Sequence, residues 1–149
     1  MMFKTHIAIA VFAILIFIPH IDYPLIFSIV ALVASVLPDI DSFHSRVGNN
    51  IIAKPLQFMT KHRGIIHSLT MAVLISLIIS FFSPLIALPF FLGYAIHVFT
   101  DSFTVDGIVP FWPYKGESKG FLKTGKYSEM ALFVVFIVLD LVLTAILFF

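Results

Sequence analysis

Five apolar runs decide the fold class before any other feature is weighed: roughly Thr5–Ile18, Tyr23–Leu37, Ile65–Phe82, Leu85–Thr100 and Met130–Phe149. A helix needs about 20 residues to cross the hydrocarbon core, within a range of about 17–25. The third and fifth runs reach that length unaided. The other three reach it where their helices extend into flanking polar residues. The expected architecture is all-α: a polytopic membrane bundle of about five transmembrane helices, one domain over 1–149. A re-entrant or interfacial hairpin is the alternative for the first two runs. Composition supports the bilayer as solvent, because only 11% of residues are charged and mean hydropathy is +1.10, against about 25% charged in soluble domains. The stretch "IFIPHID" after the first run offers no small-residue cleavage site, so that run is read as a retained helix rather than a signal peptide.

The connections are unequal. "PHID" (Pro19–Asp22) and "SP" (Ser83–Pro84) are short enough for tight hairpins, whereas 38–64 and 101–129 are long and polar. With five spans, the N-terminus and both long segments share one side. They carry Lys4, Arg46, Lys54, Lys61, Arg63, Lys115, Lys119, Lys123 and Lys126, which are all nine Lys and Arg residues of the chain. The positive-inside rule puts that side in the cytoplasm. The expected location is a multi-pass protein of the cytoplasmic (inner) membrane, with N-terminus and site facing the cytoplasm.

The His and Asp residues follow the same asymmetry. His6 starts the first helix, and Asp39 and Asp41 lie in "LPDID" after the second. His62 and His67 lie in "HRGIIHS" before the third, and His97 and Asp101 close the fourth. All seven fall at or just beyond helix ends on the side of the basic residues. Imidazole nitrogen and carboxylate oxygen ligate Zn²⁺, Mn²⁺ or Fe without thiolate, and the chain has no cysteine. Positions i and i+4 project from one helical face, so His97 and Asp101 can clasp one ion. His62 and His67 share a face only if the chain breaks between them, which Gly64 permits. Each residue alone has a plainer reading: His6 as a hydrogen-bonded bundle histidine, Asp39 as a loop cap, HxxxD as a chance match. Seven converging at one membrane face favour a metal site.

These motifs, "LPDID", "HRGIIHSL", "GYAIHVFTDSFTVDGIVPFWP" and the early His6, resemble the membrane-bound metal-dependent hydrolases, an inner-membrane domain family without an assigned function. The match runs from about His6 to Pro113. That family is in turn distantly similar to zinc-dependent phospholipase C and the single-strand-specific P1-type nucleases, helical enzymes that hold metals with His and Asp. The resemblance implies His6, Asp39, His67, His97 and Asp101 as core ligands. Members often read "PDxDH", whereas Ser42 stands here where the histidine would be. Either His44 substitutes or that ligand is dispensable.

The expected activity is hydrolysis of a phosphoester on a phospholipid or lipid-linked phosphate, with one to three divalent ions, zinc first and manganese or iron as alternatives. His67, His97 and Asp101 would hold one ion, and His6 with Asp39 a second or shared position. Asp41 would act as general base or bridging ligand. Arg63 would fork onto a phosphate, its plain alternative being a positive-inside anchor. Ser68 and Thr70 would orient imidazoles. The bilayer and a phosphate-bearing lipid are the expected partners, and no nucleic acid is. A metal-ion or proton-coupled transporter would set its ligands near mid-membrane, where only Asp140 lies. A scaffold with a structural metal, or a phosphodiesterase of soluble substrates, also fits the residues. Glu129 is expected to complement the dipole at the start of the fifth helix. Trp112 and Tyr114 are expected as an interfacial anchor or as a wall beside the site.

Overall fold

A computed structural model describes residues 1–41 and 64–149. The described residues form five α-helices and no strand: α1 (Phe3–Phe17), α2 (Pro24–Ala34), α3 (Leu69–Phe82), α4 (Pro84–Asp101) and α5 (Tyr127–Phe148). A 3₁₀ turn, Ile18–His20, leads from α1 toward α2, and another, Leu37–Asp41, follows α2. Proline at the start of α2 and α4 marks where each helix begins, since its missing N–H is not needed in the first turn. Three helical stretches are long and apolar enough to cross a membrane: Phe3–His20, Pro84–Asp101 and Tyr127–Phe148.

The third apolar run behaves differently from its hydropathy. It was expected to span unaided, but α3 keeps only 14 residues. Ser68 sets the boundary. Its hydroxyl accepts the Met71 N–H at 3.2 Å and donates to the Ile65 carbonyl at 2.6 Å, an N-cap that ends the preceding turn. The second run shortens too, because α2 stops at Ala34 and Leu37–Asp41 tightens into the 3₁₀ turn.

The helices pack as α2 on α4, α3 on α4, and α5 on α1. The α2–α4 seam is the tightest. A Cβ added at Gly93 would lie 2.1 Å from the Ala31 carbonyl oxygen, and Ala31 and Ala34 on the facing helix are fully buried. Small residues let helix backbones approach where the surrounding solvent is lipid. On the other flank of α4, Tyr94 and Val98 pack with Ile66, Ala72 and Ile108. The Tyr94 hydroxyl donates to the Ile66 carbonyl at 2.6 Å, which holds the residue next to His67 against α4.

Successive helices run antiparallel, so the start of α1, the end of α2, the start of α3, the end of α4 and the start of α5 share one end of the bundle. The α4–α5 connection lies at that end. It closes on itself through Ile108 and Ser118, whose N–H groups donate to each other's carbonyls at 3.0 and 2.9 Å. The Leu69 N–H donates to the Pro110 carbonyl at 2.8 Å, which ties the aromatic segment to the start of α3. Trp112 and Tyr114 themselves are exposed.

Glu129 lies in the first turn of α5 as expected, and it does more than complement the dipole. It is fully buried, with Oε1 accepting the Met2 N–H at 2.5 Å and Oε2 the Gly125 N–H at 2.6 Å. The carboxylate therefore fastens the start of α5 to the start of α1.

Candidate metal centre

Five of the seven expected ligands meet at the shared end of the bundle. His6, His67 and His97 are fully buried, Asp101 is 1% exposed and Asp39 8%. The remaining two are not placed here: His62 lies outside the described residues, as does the side chain of Asp41. Arg63 and His44 also lie outside them.

The protonation pattern can be read from hydrogen bonds. His97 Nδ1 lies 2.7 Å from the Ser35 carbonyl oxygen. A carbonyl only accepts, so Nδ1 carries the proton and Nε2 of the neutral ring bears a lone pair. Thr100 has one hydroxyl proton and donates it to the His97 carbonyl at 2.9 Å. His6 Nδ1, 3.1 Å from the same hydroxyl oxygen, is therefore the donor, and His6 Nε2 bears the lone pair. These are the tautomers a metal-binding imidazole needs.

His6 Nε2 faces a carboxylate, whereas His97 Nε2 lies 3.3 Å from His67 Nε2 and slightly farther from two carboxylates. His6 Nε2 makes no hydrogen bond among the described residues and lies 3.4 Å from Asp101 Oδ1. His97 Nε2 lies 3.7 Å from Asp39 Oδ1 and 3.8 Å from Asp101 Oδ2. Imidazole nitrogens and carboxylates gathered in a buried space can be reconciled by a cation between them, a role a metal ion fits. Protonating both rings is a poor answer. The His6 and His97 imidazoles are stacked with centroids 3.9 Å apart, which would set two positive charges face to face. The Met1 ammonium supplies part of the positive charge by donating to Asp101 Oδ1 at 2.5 Å, on the His6 side.

The remaining donors have a metal-sized arrangement. His67 Nε2 is 3.3 Å from His97 Nε2, 3.8 Å from Asp39 Oδ1 and 3.7 Å from Asp101 Oδ2. With the two His97–carboxylate distances above, five pairwise separations among these four atoms run from 3.3 to 3.8 Å. A tetrahedral ion with bonds of about 2.0–2.2 Å puts its ligand atoms about 3.3–3.6 Å apart. The cluster can thus hold a metal ion. Two overlapping ligand groups share His97, one with His67 and Asp101 and the other with His6 and Asp39.

Ser68, expected to orient an imidazole, spends its hydroxyl on the α3 cap, and the His97 and His6 rings are oriented by the Ser35 carbonyl and Thr100. A backbone carbonyl leaves no trace in the sequence. Thr100, three residues after His97 and one before Asp101, had a positional signal in the HxxxD spacing.

No curated protein and no solved structure matches the chain. Its whole length, residues 1–149, matches one family, described as YdjM inner membrane protein. With its apolar helices and its buried His–Asp cluster at one end of the bundle, the chain belongs to the YdjM inner membrane protein family.

Proposed function

We propose that this protein is a membrane-embedded metal-dependent hydrolase that cleaves a phosphoester of a phospholipid or lipid-linked phosphate at the cytoplasmic membrane surface. The observation that carries this reading is the gathering of the His6, His67 and His97 Nε2 atoms with the Asp39 and Asp101 carboxylates at separations of 3.3–3.8 Å. His67, His97, Asp39 and Asp101 would hold an ion, with His6 and the second oxygen of Asp101 beside it. A divalent ion bound there supplies polarisation of a phosphoryl oxygen and lowers the pKa of water to about 7.

The chain's own groups do the rest in this reading. Ser35 and Thr100 hold His97 and His6 with Nε2 turned inward. Asp41 takes the proton of the attacking water, and Arg63 clamps a phosphate oxygen; both roles rest on sequence position alone. Water oxygen bonds to phosphorus, the phosphorus–oxygen bond to the lipid breaks, and the leaving alkoxide takes the proton that Asp41 received from the water, which returns Asp41 to its carboxylate. With five spans all nine basic residues of the sequence fall on one side, which supports a cytoplasmic orientation. The short α2 and α3, about 16 and 21 Å long at 1.5 Å per residue, fall short of the 30 Å core and favour lateral entry of a lipid head group.

The test is elemental analysis of the detergent-purified protein, followed by a panel of lipid phosphates. The expected result is near-stoichiometric divalent metal and phosphate release, with both lost in His97→Ala and Asp101→Ala. Metal retained in both variants would overturn the ligand assignment. Stoichiometric metal without turnover on any lipid or soluble phosphoester would point to a structural ion, and metal uptake into sealed vesicles to a transporter.

A further inference from the structure

A second feature lies on the face of α1 turned toward α5. The two helices run parallel and enclose a groove of about 510 Å³ that is open on one side and lined by Phe3, Lys4, Ile7, Val11, Phe133 and Ile137. One acidic side chain lines it. Asp140 is 9% exposed, and its Oδ1 is buried with no hydrogen-bond partner among the described residues. The residue sits 13 positions past the start of α5, about 20 Å along the helix, at the depth of the hydrocarbon core. Elsewhere α5 buries only Glu129.

A buried carboxyl oxygen left without a hydrogen bond at this depth is costly, so it points to a ligand. Lys4 cannot neutralise it. Its ammonium lies 4.8 Å from the Phe133 ring centroid and 3.7 Å from Met130 Sδ, and Asp140 is seven residues beyond Phe133, about 10 Å further along. The groove has the volume of a small-molecule site, about 300–1,000 Å³. It suits another helix poorly, because helix seams in membranes rely on small residues. Ala8 is the one small residue among bulky neighbours here. An anionic head group would pair with Lys4 at the mouth of the groove and leave Asp140, about 10 Å deeper, without a partner. A hydroxyl can donate to it.

We propose that the α1–α5 groove is a binding site for an uncharged lipid alcohol, its chain lying along the apolar walls and its hydroxyl donating to Asp140. The groove is on a different face of α1 from His6, so this assignment stands apart from the metal centre and from the reaction proposed for it. A lipid alcohol is also what hydrolysis of a lipid-linked phosphate leaves in the bilayer.

The experiment uses the full chain in lipid nanodiscs with two photoreactive probes, a diazirine-bearing long-chain alcohol and its methyl ether, and maps the cross-links by mass spectrometry. The alcohol labels α1 and α5 at the groove. The ether labels them about tenfold less, and Asp140→Leu lowers alcohol labelling by a similar factor, the worth of one hydrogen bond to a charged or polar acceptor. Asp140→Asn, which keeps an acceptor oxygen, retains labelling, and metal content is unchanged in both variants. Equal labelling by alcohol and ether overturns the proposal, as does undiminished labelling of Asp140→Leu. Disulfide trapping of two copies through Val11→Cys that excludes the probe assigns the groove to a second chain and also overturns it. Should Asp140→Leu lose metal and prove misfolded, the alcohol-to-ether comparison on the unaltered protein decides alone.

Discussion

The Thr100 hydroxyl accepts from His6 while donating to the His97 carbonyl, with separations of 3.1 and 2.9 Å. One side chain of α4 thereby sets the tautomer of an imidazole on α1. Thr100 is a positioning residue in this arrangement: it touches a ligand of the centre rather than anything bound there.

Thr100→Val keeps the shape and removes the acceptor. His6 Nδ1–H is then buried without a partner, and its alternative tautomer, with the proton on Nε2, becomes competitive. Losing such an orienting contact typically costs 10–100-fold in metal affinity. The expectation is a fall of that order for Thr100→Val and near-normal affinity for Thr100→Ser, measured by competition with a metal-sensitive dye. Equal affinity in the valine variant would show that His6 does not contribute to the site.

Metal removal should loosen the fold as well as the site. The cluster joins α1, α4, the turn after α2 and the turn before α3, and without a cation two carboxylates and three imidazoles are buried together. A ligand that binds the native state alone stabilises it by about 2.7 kcal/mol at one hundred times its dissociation constant. Chelator-treated protein should therefore melt several degrees lower in a detergent thermal scan, and added zinc should restore the melting temperature. His97→Ala should melt alike with and without chelator.

Much of this arrangement follows from features visible along the chain. The short "PHID" and "SP" turns force antiparallel neighbours, which sends His6, Asp39, His67, His97 and Asp101 to one end. The four-residue spacing of His97 and Asp101 then fixes their common face. What stayed hidden is tertiary. The Ser35 carbonyl is backbone, and no side chain advertises its role. Glu129 in a first helical turn reads as a dipole partner, yet it is fully buried because the first residues of the chain fold across it. The start of α3 was obscured by hydropathy continuing through Ile65 and Ile66, although Ser68 carried a cap signal that marks the true boundary.

Gly93 is one turn before His97 on the same face of α4, so its contact with Ala31 sets the depth of the imidazole. Gly93→Ala places a Cβ 2.1 Å from the Ala31 carbonyl oxygen and 3.0 Å from the Ala34 Cβ. Backbone cannot yield as a flexible side chain does, and overpacking of this kind costs about 1–3 kcal/mol. The α2–α4 seam should open and carry Ser35 away from His97 Nδ1. The measurable outcome is a lower unfolding midpoint together with weaker metal binding. A lower midpoint with unchanged metal affinity would separate the seam from the site.

Glu129 gives a different separation. It joins Met2 and Gly125 through two backbone N–H groups, and the segment it holds leads directly into His6. Glu129→Ala leaves both donors buried without that acceptor, at about 1–3 kcal/mol each. Glu129→Gln keeps one acceptor oxygen and turns an NH₂ toward the other donor, so its cost should be intermediate. Hydrogen exchange at the Met2 and Gly125 amides reports the clamp itself and should quicken in the order Glu, Gln, Ala. Because His67, His97, Asp39 and Asp101 lie beyond the clamp, the four-donor arrangement should still take up one ion in Glu129→Ala. A complete loss of metal in a protein that remains folded would instead tie occupancy of the centre to the anchoring of α1 and α5.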